Sequence, residues 1–270
     1  YQRSYLDWYS PGSFSTFQAF QNYSLMNYAY STHNFKTMRS SIKIPFLFIV
    51  VALSIVSNHA VADDIKIVKE RVVSELMKTG VDDRQVEAIL ARMKTDGSFQ
   101  DIKYEDLSRT AGFPHGSDTL DLVYLAKAYK SKTSRFFRSR KLKEQITTSL
   151  KYWVDHDFFG DNWHNNQITT PTYLVNCMLL IGNEMPQDLV QKAQPIIGRA
   201  HMNATGARPS GDRIVIAGIL AKNLLFIGDK AGFENIIKLI ESEVRFSTGQ
   251  RGMQHDYSFH HREDRVNNTT

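Results

Sequence analysis

Cysteine is almost missing from these 270 residues: Cys177 is the single one, so no intrachain disulfide can form. Stability then has to come from packing. Convincing period-2 alternation is missing too, which argues against a sheet-built fold. Nucleotide fingerprints are absent, because the glycine-bearing loop Asn203–Asp212 has the spacing of neither a P-loop nor a dinucleotide motif. The histidines have no His-x-x-x-His helix and no cysteine partner, so neither a metal site nor a cofactor is expected. A strong charge imbalance is also lacking. The formal net charge is +5, but Arg3, Lys36, Arg39 and Lys43 against Asp7 place +3 of it in the first 62 residues. The remainder is close to neutral, and a nucleic-acid partner is not expected.

What is present begins with a leader. Met38-Arg-Ser-Ser-Ile-Lys43 is a short basic stretch, Ile44–Val56 is an apolar run, and Ala60-Val61-Ala62 is a small-x-small site before Asp63-Asp64. These are the three parts of a secretory signal in order. A membrane anchor is the alternative, but the run is too short to span a bilayer comfortably. The expected organisation is therefore 1–37 as non-native upstream translation, 38–62 as a cleaved signal, and 63–270 as one domain. Its expected place is secreted, extracellular or periplasmic, as a monomer with no stable membrane anchor after cleavage.

Residues 63–270 read as helical almost throughout. Ile65–Lys78 places Ile67, Val68, Val72, Val73, Leu76 and Met77 on one stripe. Asp82-Asp83 opens the next helix with carboxylates in its first turn. Ser117-Asp118 reads as the cap of Thr119–Tyr129. Further helices are expected at Lys141–Val154, Thr172–Ile181, Gln187–Ala200, Asp212–Phe226 and Gly232–Val244, with Asp212 as an N-cap. Their succession, like stacked hairpins, suggests an all-α fold: an (α/α) toroid or solenoid rather than a four-helix bundle. The basic run Lys130–Lys143 reads as a solvated loop and helix start, with tracking of an anionic chain as the other reading.

Three segments carry chemistry. Asp157–Pro171 mixes aromatics with amides, and Pro171 suits the first turn of the following helix. Aromatics stack on sugar faces while Asn and Gln satisfy hydroxyls, although a tryptophan at a helix junction is as often core. The loop Asn203–Asp212 is polar and precedes an apolar helix. Near the C-terminal end, His255, His260 and His261 fall within seven positions together with Asp256, Tyr257 and Phe259. Histidine is the side chain that exchanges a proton near neutral pH. His255 reads as structural.

Taken in order, the three segments resemble the N-terminal α-helical domain of the family 8 polysaccharide lyases, the group of hyaluronate, chondroitin AC and xanthan lyases. The matches are Asn162-Trp163 with Ile168 and Pro171, then Thr205-Gly206-Ala207, then Asp256-Tyr257-Ser258-Phe259 with His260-His261. The resemblance implies β-elimination on an acidic, uronate-containing polysaccharide of hyaluronan or chondroitin type. It also implies an incomplete toroid, with C-terminal β-sandwich domains and a catalytic Tyr and Arg expected beyond Thr270. His261 is the better candidate for the family's catalytic histidine and His260 the second. Arg208 stands where a carboxylate-neutralising Asn is expected, and Asn203 lies five residues upstream. His164 replaces the second Trp of the aromatic pair. Asn162, Trp163, His164, Asn166 and Asn203 are the implied substrate-binding residues.

Two other function classes fit the residues. A toroid glycoside hydrolase would need a carboxylate pair, with Asp157, Asp161 and Asp256 as candidates. A non-catalytic carbohydrate-binding module would bind without turnover.

Overall fold

The computed structural model describes residues 64–109, 112–208, 211–244, 246–247 and 251–260. The expected leader and upstream segment lie outside these residues, as does His261. Among the described residues eight helices run in chain order: α1 (64–76), α2 (Asp83–Arg92), α3 (His115–Lys130), α4 (Arg140–His156), α5 (Thr170–Ile181), α6 (Gln187–Ile197), α7 (Gly211–Ile227) and α8 (Lys230–Glu243). A hairpin of two short antiparallel strands comes next, β1 (Gly252–Met253) and β2 (Phe259–His260).

The helices fall into two classes by what their sequences offer. In α3 and α5 apolar residues surround the axis, and Leu174 through Ile181 are all buried. A helix apolar all round has to sit inside. By contrast α2, α4 and α6 carry one buried stripe each, in α4 Leu142, Ile146, Leu150, Trp153 and Val154, and α8 buries Ile236. The contacts respect this division, with α3 against α5 and α5 against α7 forming an inner row, and α4 against α6 packing outside. An inner row and an outer row of antiparallel hairpins is the double layer of an α/α architecture. The expected all-α fold is observed.

Local signals set the ends. Ser139 Oγ accepts from Leu142 N at 3.3 Å to cap α4, and Asp229 Oδ1 accepts from Gly232 N at 2.9 Å to cap α8. Asp157, in left-handed conformation, stops α4. Two expected caps are corrected. Helix α3 starts at His115, directly after Pro114, so Ser117-Asp118 lies inside it. Asp118 is buried and accepts from Tyr104 Oη at 2.7 Å and from Ser149 Oγ at 3.5 Å. Removal from water pushes its carboxyl up to about 7. Asp212 sits within the first turn of α7, whose helix begins one residue earlier.

Elsewhere inside the double layer, Asn176 on α5 accepts from the half-buried Lys222 of α7 at 3.1 Å. Tyr104, Phe113, His115, Tyr152 and Phe158 form an aromatic cluster where the chain enters α3 and leaves α4. No described helix is long and apolar enough to cross a membrane.

Candidate active site

The segment 157–171, read as lying between two helices, is itself helical over its second half. After Trp163-His164 the chain makes a π-helical turn, Asn165–Thr169, in which Thr170 N donates to Asn165 O, and it runs straight into α5. Pro171 explains the widening: a proline ring clashes with the carbonyl four residues back and supplies no N–H, so an α turn across Gln167 is disfavoured. Such single π turns are frequent at functional sites.

Within this segment the side chains divide by task. Trp163 is partly buried and packs on the core cluster. His164 is exposed, meets the Trp163 ring edge-to-face at 5.6 Å, and has Nδ1 3.3 Å from Thr169 Oγ1. Asn162 Oδ1 accepts from His164 N at 3.1 Å. Asn166 is placed differently from the expectation. It is buried, its Nδ2 donates to Gly160 O at 2.7 Å and its Oδ1 accepts from Gly160 N at 3.0 Å. Both ends of the amide are spent on backbone, so Asn166 shapes the segment from behind instead of meeting a ligand.

The second segment closes onto the first. Gly206 is buried against the indole, so near that a Cβ there would come within 2.2 Å of Trp163 Cζ3. Only glycine permits this approach. Its N–H donates to Gln167 Oε1 at 2.8 Å. Beside it the exposed Arg208 holds its guanidinium 5.5 Å from the centre of the Trp163 ring, within cation–π range. Asn203 is exposed in the preceding turn.

The third segment is a hairpin. Gly252 pairs with His260 and Met253 with Phe259. Its tip is held by Gln254 N donating to Ser258 O at 2.8 Å and by Asp256 Oδ1, which accepts from Ser258 N at 3.0 Å and from Ser258 Oγ at 2.7 Å. Those bonds hold the Asp256 carboxyl below the usual carboxylate range. Tyr257 projects at the tip, 79% exposed and at positive φ. His255 stacks flat on Phe246 at 5.2 Å. His260 is half-buried on β2.

A polar chain ties the second segment to the third. Arg213 Nη1 donates to Ala207 O at 2.9 Å, and Arg213 Nε donates to Glu243 Oε1 at 2.8 Å. Arg251, the residue before β1, donates to Glu243 Oε2 at 3.2 Å. Bonds from the two guanidiniums outweigh desolvation and hold the Glu243 carboxyl below its ordinary range. None of Gln167, Arg213, Glu243 and Arg251 stands in a recognisable motif. The only hint was Gly206 within Thr-Gly-Ala, since a glycine there invites a close neighbour.

Two of the alternative carboxylates are placed less well for hydrolysis. Asp157 is ion-paired with Arg199, and bonds from Ser258 hold the Asp256 carboxyl below its ordinary range. A hydrolase's proton donor needs the opposite shift.

Comparison with known proteins matches this description. Residues 57–266 fit the family model "Polysaccharide lyase family 8, N terminal alpha-helical domain". Chondroitinase-AC of Pedobacter heparinus is 30% identical over 181 residues, covering 66% of this chain and 25% of the relative. The chain thus spans about a quarter of the length of that curated relative. A chondroitinase AC lyase solved as enzyme–oligosaccharide complexes superposes with a TM-score of 0.62 at 29% identity, over 74% of this chain and 29% of that one. A Paenibacillus xanthan lyase shares the fold, with a TM-score of 0.57 at 18% identity over 74% of this chain and 21% of the other. By its matched span and its double layer of helices, this chain belongs to polysaccharide lyase family 8, in that family's N-terminal α-helical domain.

Proposed function

We propose that this chain is the helical part of a secreted lyase that cleaves a uronate-containing polysaccharide of chondroitin or hyaluronan type by β-elimination. The observation that carries the reading is the joining of three sequence-distant segments into one polar assembly: Trp163 against Gly206 and Arg208, and Ala207 through Arg213–Glu243–Arg251 to the His260 hairpin. Trp163 and His164 offer ring surface to a sugar, with Asn162 and Asn203 at hand for hydroxyls. Arg208 supplies a guanidinium fork for the uronate carboxylate, which lowers the cost of charge developing there. His260, or His261 beyond the described residues, takes the C5 proton. The C5–H electron pair becomes the C4=C5 double bond, the C4–O bond breaks, and the departing glycosidic oxygen is protonated.

The test is incubation of the full-length protein with chondroitin, hyaluronan and xanthan, tracking ultraviolet absorbance of unsaturated uronate ends. Absorbance should rise on at least one polymer, and Arg208→Ala should raise KM and lower kcat together. New reducing ends without absorbance would mean hydrolysis; tight binding without any new ends would mean a binding module.

A further inference from the structure

The basic run Lys130–Lys143 plays no part in the candidate active site. It carries Lys130, Lys132, Arg135, Arg138, Arg140, Lys141 and Lys143 with no Asp or Glu among them, in a region of chain otherwise near neutral. All but Lys143 are exposed. Three have counterions: Arg135 pairs with Glu87, Arg140 with Glu144 at 2.9 Å and Lys143 with Glu184 at 3.2 Å. Among the described residues, Lys130, Lys132, Arg138 and Lys141 form no ion pair.

The loop that presents them is fixed. Ser134 Oγ and Arg135 N donate to the Asp83 carboxylate at 2.6 and 3.0 Å, and Arg138 N donates to Tyr129 O at 2.9 Å. Arg138 adopts positive φ (51°), a conformation that costs a non-glycine residue energy and gathers at functional positions. Two of the three arginines lie over a phenylalanine, Arg135 at 4.9 Å from Phe136 and Arg138 at 5.6 Å from Phe137, which is 38% exposed. Beside the loop is a cavity of about 390 Å³, lined by Glu87, Arg135, Phe136, Ser139, Lys141 and Gln145 among others. Oriented guanidiniums grip sulfate or carboxylate in bidentate fashion, exposed rings suit sugar faces, and Ser and Gln suit hydroxyls. The loop precedes α4, whereas the Trp163 segment comes after it. A 17-residue helix is about 25 Å long, so the two lie at opposite ends of that helix.

We propose that loop 131–139 with Lys141 forms a second, non-catalytic site for a sulfated or carboxylated polysaccharide strand, at the far end of α4 from the candidate active site. Its choice of ligand class rests on the lyase reading. Its action is to hold the polymer near the enzyme between cleavage events, raising the effective substrate concentration.

The test compares the full-length protein with its Lys132→Gln/Arg138→Gln/Lys141→Gln variant on immobilised chondroitin sulfate across a sodium chloride series. Loss of three cations should weaken binding about tenfold or more at low salt. By analogy with polyanionic nucleic acids, it should also reduce the log–log salt slope by about 2–3. The melting temperature and the turnover of a short oligosaccharide should be unchanged. Unchanged polymer binding overturns the proposal, as does equal or greater loss of binding to single-stranded oligo-dT, which would make the loop a nucleic-acid surface. A parallel Trp163→Ala/His260→Ala variant separates the two readings. If it alone loses polymer binding while the parent yields unsaturated products, the loop site is refuted and the lyase reading stands. If no variant or parent yields unsaturated products while the loop variant loses binding, the lyase reading fails and the loop site stands.

Discussion

The inner helices α3 and α5 and the polar assembly around Trp163 are held by different forces. The inner pair is held by apolar contact spread over many residues, with Leu122, Leu125, Leu174, Met178, Leu179 and Leu180 at or near zero exposure. Each such side chain contributes about 1.5–3 kcal/mol by leaving water, and the cost of losing one depends on how far the rest can close up. The assembly is held by a few specific contacts, each with one geometry. Damage to the first region should show in stability, and damage to the second in position and catalysis.

The largest effect should come from the scaffold. Trp153 on α4 is fully buried, so Trp153→Ala should cost about 3–5 kcal/mol by denaturant unfolding. A loss under about 1 kcal/mol would mean that the double layer is not a packed unit. Next is Gly206→Ala, where the added methyl meets the indole; overpacking should cost about 1–3 kcal/mol. A Trp163→Phe background should recover part of it. Recovery is the diagnostic, because an additive pair would mean that the two residues do not touch.

Third is Glu243→Gln, which weakens the bond to two partly buried guanidiniums. A stability loss of only about 1 kcal/mol is expected, given partial solvent access, together with a larger fall in kcat than rise in KM if the hairpin positions the proton-transfer histidine. Glu243→Asp should restore some of it; a variant that loses stability but keeps kcat would confine Glu243 to the scaffold.

The last difference is one of slope. The folded-state value of Asp118, about 7, lies above its ordinary 3.8, so its contribution is fully present below about pH 4 and is lost as pH rises through 7. Wild type should therefore lose stability relative to Asp118→Asn between about pH 4 and 7, measured by denaturant midpoint; parallel profiles would contradict this.

Sequence reading reached the two regions unequally. Helices with a single apolar stripe, such as α4 and α6, were legible within a few residues because the period survives in one dimension. The start of α3 was missed because Ser117-Asp118 has the chemistry of a cap, and only burial against Tyr104 and Ser149 reveals another use. The hairpin carried no signal, since two-residue strands are too short to show alternation. The placing of Asn166 was not legible for a related reason: an amide looks the same whether it faces water or clasps the backbone of Gly160. Arg213, Glu243 and Arg251 were invisible because they meet across 30 and 8 positions of sequence. Trp163, Gly206 and His260 were legible through the family resemblance, which supplied what periodicity could not.

The π-helical turn at Asn165–Thr169 has a consequence for how such a wall can change. One residue of an α-helix turns the chain by about 100°, and a π turn absorbs about one extra residue without disturbing the helix beyond it. The turn thus indexes Trp163 and His164 against α5 as a vernier does. Deleting a residue there would leave Leu174–Ile181 in place and swing the aromatic wall by roughly a quarter of a revolution. Because Trp163 also packs on the core and Ile168 within the turn is buried, that swing would register in stability as well as in the orientation of the wall.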